Sequence, residues 1–91
     1  MAWTIEFTAD ADRQLRKLDR QVAIRILSFL TERLLNFDDP KSVGEPLHGP
    51  DLSRFWKYRV GDWRIITEIK NDVAVILVIK IGNRREVYRK R

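Results

Sequence analysis

Lys57, Arg59 and Arg64 fall within eight positions of one another in FWKYRVGDWR. Five more cations surround a single tyrosine, Tyr88, in the closing stretch GNRREVYRKR. These residue types suit cleavage of RNA without a metal ion. In that reaction the ribose 2′-hydroxyl attacks the adjacent phosphate and the 5′-oxygen leaves. The protein must place the attacking group in line and neutralise charge that develops on the phosphoryl oxygens. Arginine serves the second task with a planar fork of donors and a fixed charge, and for the same reason it is a poor proton donor. Positive neighbours favour the phenolate of a tyrosine. Tyr88 is therefore a candidate general base and Lys57 a candidate proton carrier; the alternative for Tyr88 is a packing aromatic near the terminus.

Other chemistries find little support. There is no cysteine and one histidine, which does not make a usual zinc shell, and no metal is expected. One histidine also rules out a nuclease built on two. Histidine is the side chain that titrates near neutrality, but His48 sits between Leu47 and Gly49-Pro50 and reads as a loop-packing residue. The four glycines are scattered, so there is no phosphate-cradling loop, and no cofactor is expected.

The net charge of +5 is unevenly spread. Residues 1–50 hold seven Lys/Arg against eight Asp/Glu, a balance of −1, whereas residues 51–91 hold eleven against five, a balance of +6. A basic half beside a neutral half points to an anionic partner on one face, and nucleic acid is the commonest. Ninety-one residues make a single domain, 1–91. The start lacks the layout of a signal peptide. The longest apolar run, Val73 to Ile79, is far shorter than a membrane helix. These features predict a soluble cytoplasmic protein.

Spacing and alternation predict the elements that must position the cations. Trp3, Ile5 and Phe7 alternate with Thr4 and Glu6, predicting a strand over residues 2–7. Thr8 is suited to cap a helix through about Lys17, with Asp10 and Asp12 in its first turn. Asp19 is suited to cap a longer one, whose apolar stripe is Val22, Ala23, Ile26, Leu27, Leu30 and Leu34; Arg20, Arg25, Glu32 and Arg33 fall largely off it. Asp38-Asp39-Pro40 ends that helix, and residues 37–50 read as a loop. Three strands come next, Ser53–Val60, Trp63–Lys70 and Val73–Lys80, joined by two-residue turns at Gly61-Asp62 and Asn71-Asp72. The predicted class is α+β, ordered β-α-α-β-β-β, an antiparallel-rich sheet with a helical pair on one face.

Alternation then sorts the side chains. With Gly61-Asp62 as the turn, Val60 lies opposite Trp63 and Arg59 opposite Arg64, and opposed residues share a face. Trp56, Tyr58, Val60, Trp63, Ile65 and Ile69 form the face for the helices. Lys57, Arg59 and Arg64 converge on the other, with Glu68 as a partial neutraliser. Like charges directly opposed are destabilising, so fold alone would not select this arrangement. The second hairpin sends Val75, Leu77 and Ile79 to the basic face beside Ile66, and Ala74, Ile76 and Val78 to the other, making that strand apolar on both sides. A partner or the C-terminal segment is expected to cover part of the basic face.

Four stretches, LRKLD, DDP followed by GEPLHG, FWKYRVGDWRIITEI and IGNRREVYR, in that order, resemble the RelE family of toxins from type II toxin–antitoxin modules. The resemblance spans nearly the whole chain. It implies a small sheet backed by a helical pair, cleavage of mRNA in the ribosomal A site, and silencing by a RelB-like antitoxin in a hetero-oligomer; mRNA and the ribosome are then partners, and no membrane is. It places catalytic positions on Lys57, Arg64, Arg84 and Tyr88, with Arg59 a further basic position. Arg64 and Arg84 then stabilise the phosphorane, while Lys57 and Arg59 hold backbone phosphates. Arg54, Lys80, Arg85 and Lys90 are assigned to RNA binding. The chain departs from the pattern of some members at Phe55, where they carry lysine, and at Asn83, where many read Gly-His-Arg. The same fold also hosts ParE-like proteins that inhibit DNA gyrase, which is the alternative function.

Overall fold

The structure, a computed structural model, describes residues 3–36, 39–50, 52 and 54–83. Strand β1, Thr4–Phe7, leads into helix α1, Ala9–Arg16. Thr8 caps α1 by accepting the Ala11 amide at 3.1 Å, and Asp10 and Asp12 in the first turn bridge to Arg13 and Arg16. Asp19 caps helix α2, Arg20–Ser28, by accepting the Gln21 amide at 3.1 Å. The helical path continues through a π-helical turn, Phe29–Arg33, and a 3₁₀ turn, Leu34–Asn36. A further 3₁₀ turn, Pro40–Ser42, precedes strands β2 (Glu45–Pro46), β3 (Phe55–Val60), β4 (Trp63–Lys70) and β5 (Val75–Asn83).

The five strands make one sheet in the order β1-β5-β4-β3-β2. β1 runs parallel to β5 and every other pair is antiparallel. Ile26, Leu30 and Leu34 pack onto Tyr58, Ile65, Ile69, Ile76, Val78 and Ile81, forming the core on one face of the sheet. Leu30 is fully buried, so truncating it to alanine removes about 2–5 kcal/mol. Leu27, expected in the buried stripe, is 38 % exposed. No helix among the described residues is long and apolar enough to cross a membrane.

The first hairpin follows the expected register: Val60 faces Trp63 and Arg59 faces Arg64. Gly61, with φ +61°, supplies the conformation that a two-residue II′ turn needs at its first position. The second hairpin differs. Its closing pair is Lys70 and Val75, so the connection is the four residues Asn71–Ala74 rather than Asn71-Asp72. Ala74 takes φ +55°, and its carbonyl accepts the Thr4 amide at 3.0 Å, which ties the turn to β1. β5 accordingly starts at Val75 and reaches Asn83, later at both ends than expected. The two-residue shift preserves the faces of Val75 and Leu77.

A register shift between Ile66 and Thr67 changes the pairing farther along β5. Ile66 pairs with Lys80 and Thr67 with Val78, leaving Ile79 as the extra residue of a bulge. Lys80, not Ile79, therefore joins Ile66 on the helix-free face, and β5 is not apolar on both sides throughout. Residues 45–46, expected in a loop, form the short edge strand β2 against β3.

Candidate RNA-cleavage site

The loop before β3 is fastened to it by two aromatic side chains. Trp56 Nε1 donates to the Val43 carbonyl at 3.1 Å, and the Tyr58 hydroxyl donates to the Pro40 carbonyl at 2.8 Å. Gly44, at φ +81°, passes so close that a Cβ there would lie 2.6 Å from the Lys57 carbonyl oxygen and 2.7 Å from the Tyr58 ring. This contact sets β2 beside β3 and brings Glu45 to 3.7 Å from Lys57 Nζ. β2 pairs only with Trp56 and Lys57. From Tyr58 onward no described strand covers the outer edge of β3, and a groove of about 770 Å³ runs over that edge. Side chains from both sheet faces line it: Lys57, Arg59 and Arg64 from one, Tyr58 and Val60 from the other.

Arg64 is the most constrained cation. Only 9 % of it is exposed, and Nη1 donates to the carbonyls of Gly61 and Trp63, both at 3.1 Å. No described residue accepts from Nε or Nη2, and among the described residues no buried side-chain nitrogen lacks a partner, so these two donors are not fully enclosed. The guanidinium is held by the turn it serves, with part of its fork left over for a ligand. Arg59, directly across the hairpin, is exposed and has no acid within ion-pair distance among the described residues. Gly82 pairs with Arg64, so β5 delivers the chain to this place.

The other expected site residues divide. Arg54 is committed locally: its Nε lies 3.1 Å from Glu68, and its guanidinium sits 4.8 Å over the Phe55 ring. Lys80 is half-buried opposite Ile66. Arg84, Arg85, Tyr88 and Lys90 lie outside the described residues. His48 is exposed in the loop. Among the described residues no three His, Cys, Asp or Glu gather to hold a metal.

Tyr58 lines the groove, yet burial, reinforced by the negative charge of Asp39, pushes its phenol well above the usual tyrosine range. Its proton is also engaged by Pro40. It is a fastening residue, unfit to act as a base.

Sequence reasoning missed Arg25, Arg33 and Glu45, which also line the groove. Arg25, Phe29 and Arg33 recur every fourth residue, and Arg33 lies 6.0 Å over the Phe29 ring. That spacing signals one helix row. Whether the row faces the cations of β3 depends on how the helix sits on the sheet, which no local pattern records.

Comparison with known proteins gives consistent matches. The sequence profile of the ParE toxin of type II toxin–antitoxin system, parDE, matches residues 5–88. The chain is 27 % identical over 90 residues to toxin RelG of Mycobacterium tuberculosis, covering 99 % of this chain and all of that one. It is 32 % identical over 85 residues to toxin RelE of the same organism, covering 93 % of this chain and 84 % of that one. In fold it is similar to a chain of the toxin–antitoxin complex RelBE2 from M. tuberculosis, with a TM-score of 0.80 and 24 % identity over 91 % of this chain and 92 % of that one. A chain of the archaeal RelE–RelB complex from Pyrococcus horikoshii gives a TM-score of 0.72 and 22 % identity, over 92 % and 97 %.

Proposed function

The chain belongs to the RelE/ParE superfamily of type II toxin–antitoxin toxins, and from that membership we propose that it is an mRNA endoribonuclease acting in the ribosomal A site. The observation that carries this reading is the convergence of Lys57, Arg59 and Arg64 on the helix-free face, with Arg64 buried and locked to the Gly61 turn. A donor fixed before the substrate arrives needs no reorganisation as charge develops, which is what stabilises a phosphorane.

In this mechanism the 2′-oxygen bonds to phosphorus as the bond to the 5′-oxygen breaks. Tyr88 takes the 2′-hydroxyl proton, and Lys57 supplies one to the departing 5′-oxygen. Arg64 and Arg84 neutralise the phosphoryl oxygens, and Arg59 holds a neighbouring phosphate. Tyr58 is excluded as the base by burial and its bond to Pro40, which leaves Tyr88 as the only other tyrosine. A RelB-like antitoxin is the proposed partner, and the cytoplasm the proposed place of action.

The matching profile carries the ParE name, which favours a second reading, inhibition of DNA gyrase by protein contact. Induction in a host lacking the antitoxin separates the two. Mapped mRNA ends inside translated codons support the nuclease. Intact mRNA with altered DNA supercoiling supports the gyrase reading.

A further inference from the structure

Gly61 is flanked by two guanidiniums. From one side Arg64 Nη1 donates to its carbonyl at 3.1 Å. From the other, a methyl built on its Cα would meet Arg25 Nη2 at 3.3 Å and Nη1 at 3.4 Å. Arg25 comes from α2 and Arg64 from β4, so the helix and the hairpin bring their cations together at one turn. Neither forms an ion pair with a described carboxylate. Asp62, next in the chain, is exposed and makes none; Glu45 lies by Lys57, and Glu32 lines the groove without pairing.

Two unpaired guanidiniums on one glycine repel each other. The arrangement is stabilised when a polyanionic strand passes over both, and the planar forks of arginine match the oxygens of its phosphates. We propose that Arg25 and Arg64 form a phosphate clamp across Gly61, with Arg64 on the phosphate that is cleaved and Arg25 on a backbone phosphate next to it in single-stranded RNA. The clamp rests on the nuclease reading for the identity of the RNA, and on geometry alone for the anion. It gives Gly61 a second role: a side chain there would displace Arg25 as well as strain the turn. It also carries the substrate path over the open edge of β3 to α2 and on toward Arg33 in the π-helical turn that follows it.

The test uses the full chain and its Arg25→Ala and Arg25→Lys variants. Inorganic phosphate titrated into the wild type is expected to shift the Gly61 amide and the Nε resonances of Arg25 and Arg64 in NMR spectra. Arg25→Ala is expected to raise KM for RNA about tenfold, the scale of one charge-assisted hydrogen bond, with a smaller effect on kcat. It should also lower the salt slope of single-stranded RNA binding by roughly 0.7. Arg25→Lys should keep the salt slope and lose affinity, because it keeps the charge but not the fork. Unshifted Gly61 and arginine resonances, or an unchanged KM and salt slope in Arg25→Ala, overturn the clamp. A variant weakened only in antitoxin binding also overturns it and assigns Arg25 to the partner. If the wild type cuts no RNA but phosphate still shifts those resonances and single-stranded RNA binding still depends on Arg25, the clamp stands and the nuclease reading falls.

Discussion

Arg59 and Arg64 face each other directly across the β3–β4 hairpin, one exposed and the other nine-tenths buried. Opposed like charges weaken a sheet by about 0.2–1 kcal/mol, so this pair is a cost to folding. Arg59→Glu should convert it into an attractive pair. The thermal midpoint is expected to rise by a few degrees, while RNA cleavage falls because the groove now repels phosphate. A lower midpoint, or undiminished cleavage, contradicts the functional reading of this pair.

Tyr58 gives a prediction about stability and pH. Its neutral form is favoured in the fold, mainly by burial and secondarily by Asp39. The folded value lies above the unfolded one, so the contribution is complete below about pH 10 and is lost as pH rises toward the folded value. Chemical denaturation of wild type and Tyr58→Phe should therefore show wild-type stability declining above pH 10, with a flatter profile in the variant. At neutral pH Tyr58→Phe should cost about 0.5–1.5 kcal/mol through the lost bond to Pro40. Parallel alkaline profiles would contradict this account of Tyr58.

Arg84→Ala and Tyr88→Phe should each lower cleavage by about 10²–10³ without moving the thermal midpoint appreciably. Growth arrest on induction and single-turnover cleavage in vitro measure the effect. If both variants remain fully toxic at normal expression, the roles given to these two residues are wrong.

Much of the hairpin was legible because its determinants are local. Gly61-Asp62 fixes the turn, and alternation then places Tyr58 and Ile65 on the helix side and Arg59 and Arg64 on the other. The caps at Thr8 and Asp19 were legible for the same reason. Long-range determinants were not. The bulge at Ile79 is held by α1, whose Thr8 hydroxyl donates to the Ile79 carbonyl at 3.3 Å and whose Gln14 Oε1 accepts the Ile81 amide at 2.8 Å. Those partners are remote in sequence, so the turn of Lys80 onto the basic face could not be read from the strand. Glu45 lacked a strand pattern because two residues have no periodicity; its place comes from Trp56 and Tyr58 gripping the loop. Arg25 falls off the apolar stripe of α2, and only the packing of α2 beside Gly61 brings it to the site.

Val75 and Leu77 are only partly buried on the face without helices, Ile79 is partly buried at the bulge, and Val73 in the turn before β5 is 61 % exposed. Exposed apolar surface of this kind marks an interaction site. An antitoxin segment is expected to cover it, with acidic residues reaching toward Arg64. Hydrogen exchange on the free toxin and on its complex should show residues 73–79 and 84–88 gaining protection together. Equal protection in both samples would place the antitoxin elsewhere.

The nucleophile is the central claim, and a single substitution in the substrate tests it most directly. Ribosomes programmed with an mRNA carrying 2′-deoxyribose at the cleaved position should resist the toxin, whereas the all-ribose mRNA should be cut to leave a 2′,3′-cyclic phosphate or its 3′-phosphate product, with or without chelator. Efficient cutting of the deoxy-substituted mRNA would contradict attack by the 2′-hydroxyl, and with it the mechanism built on Lys57, Arg64, Arg84 and Tyr88.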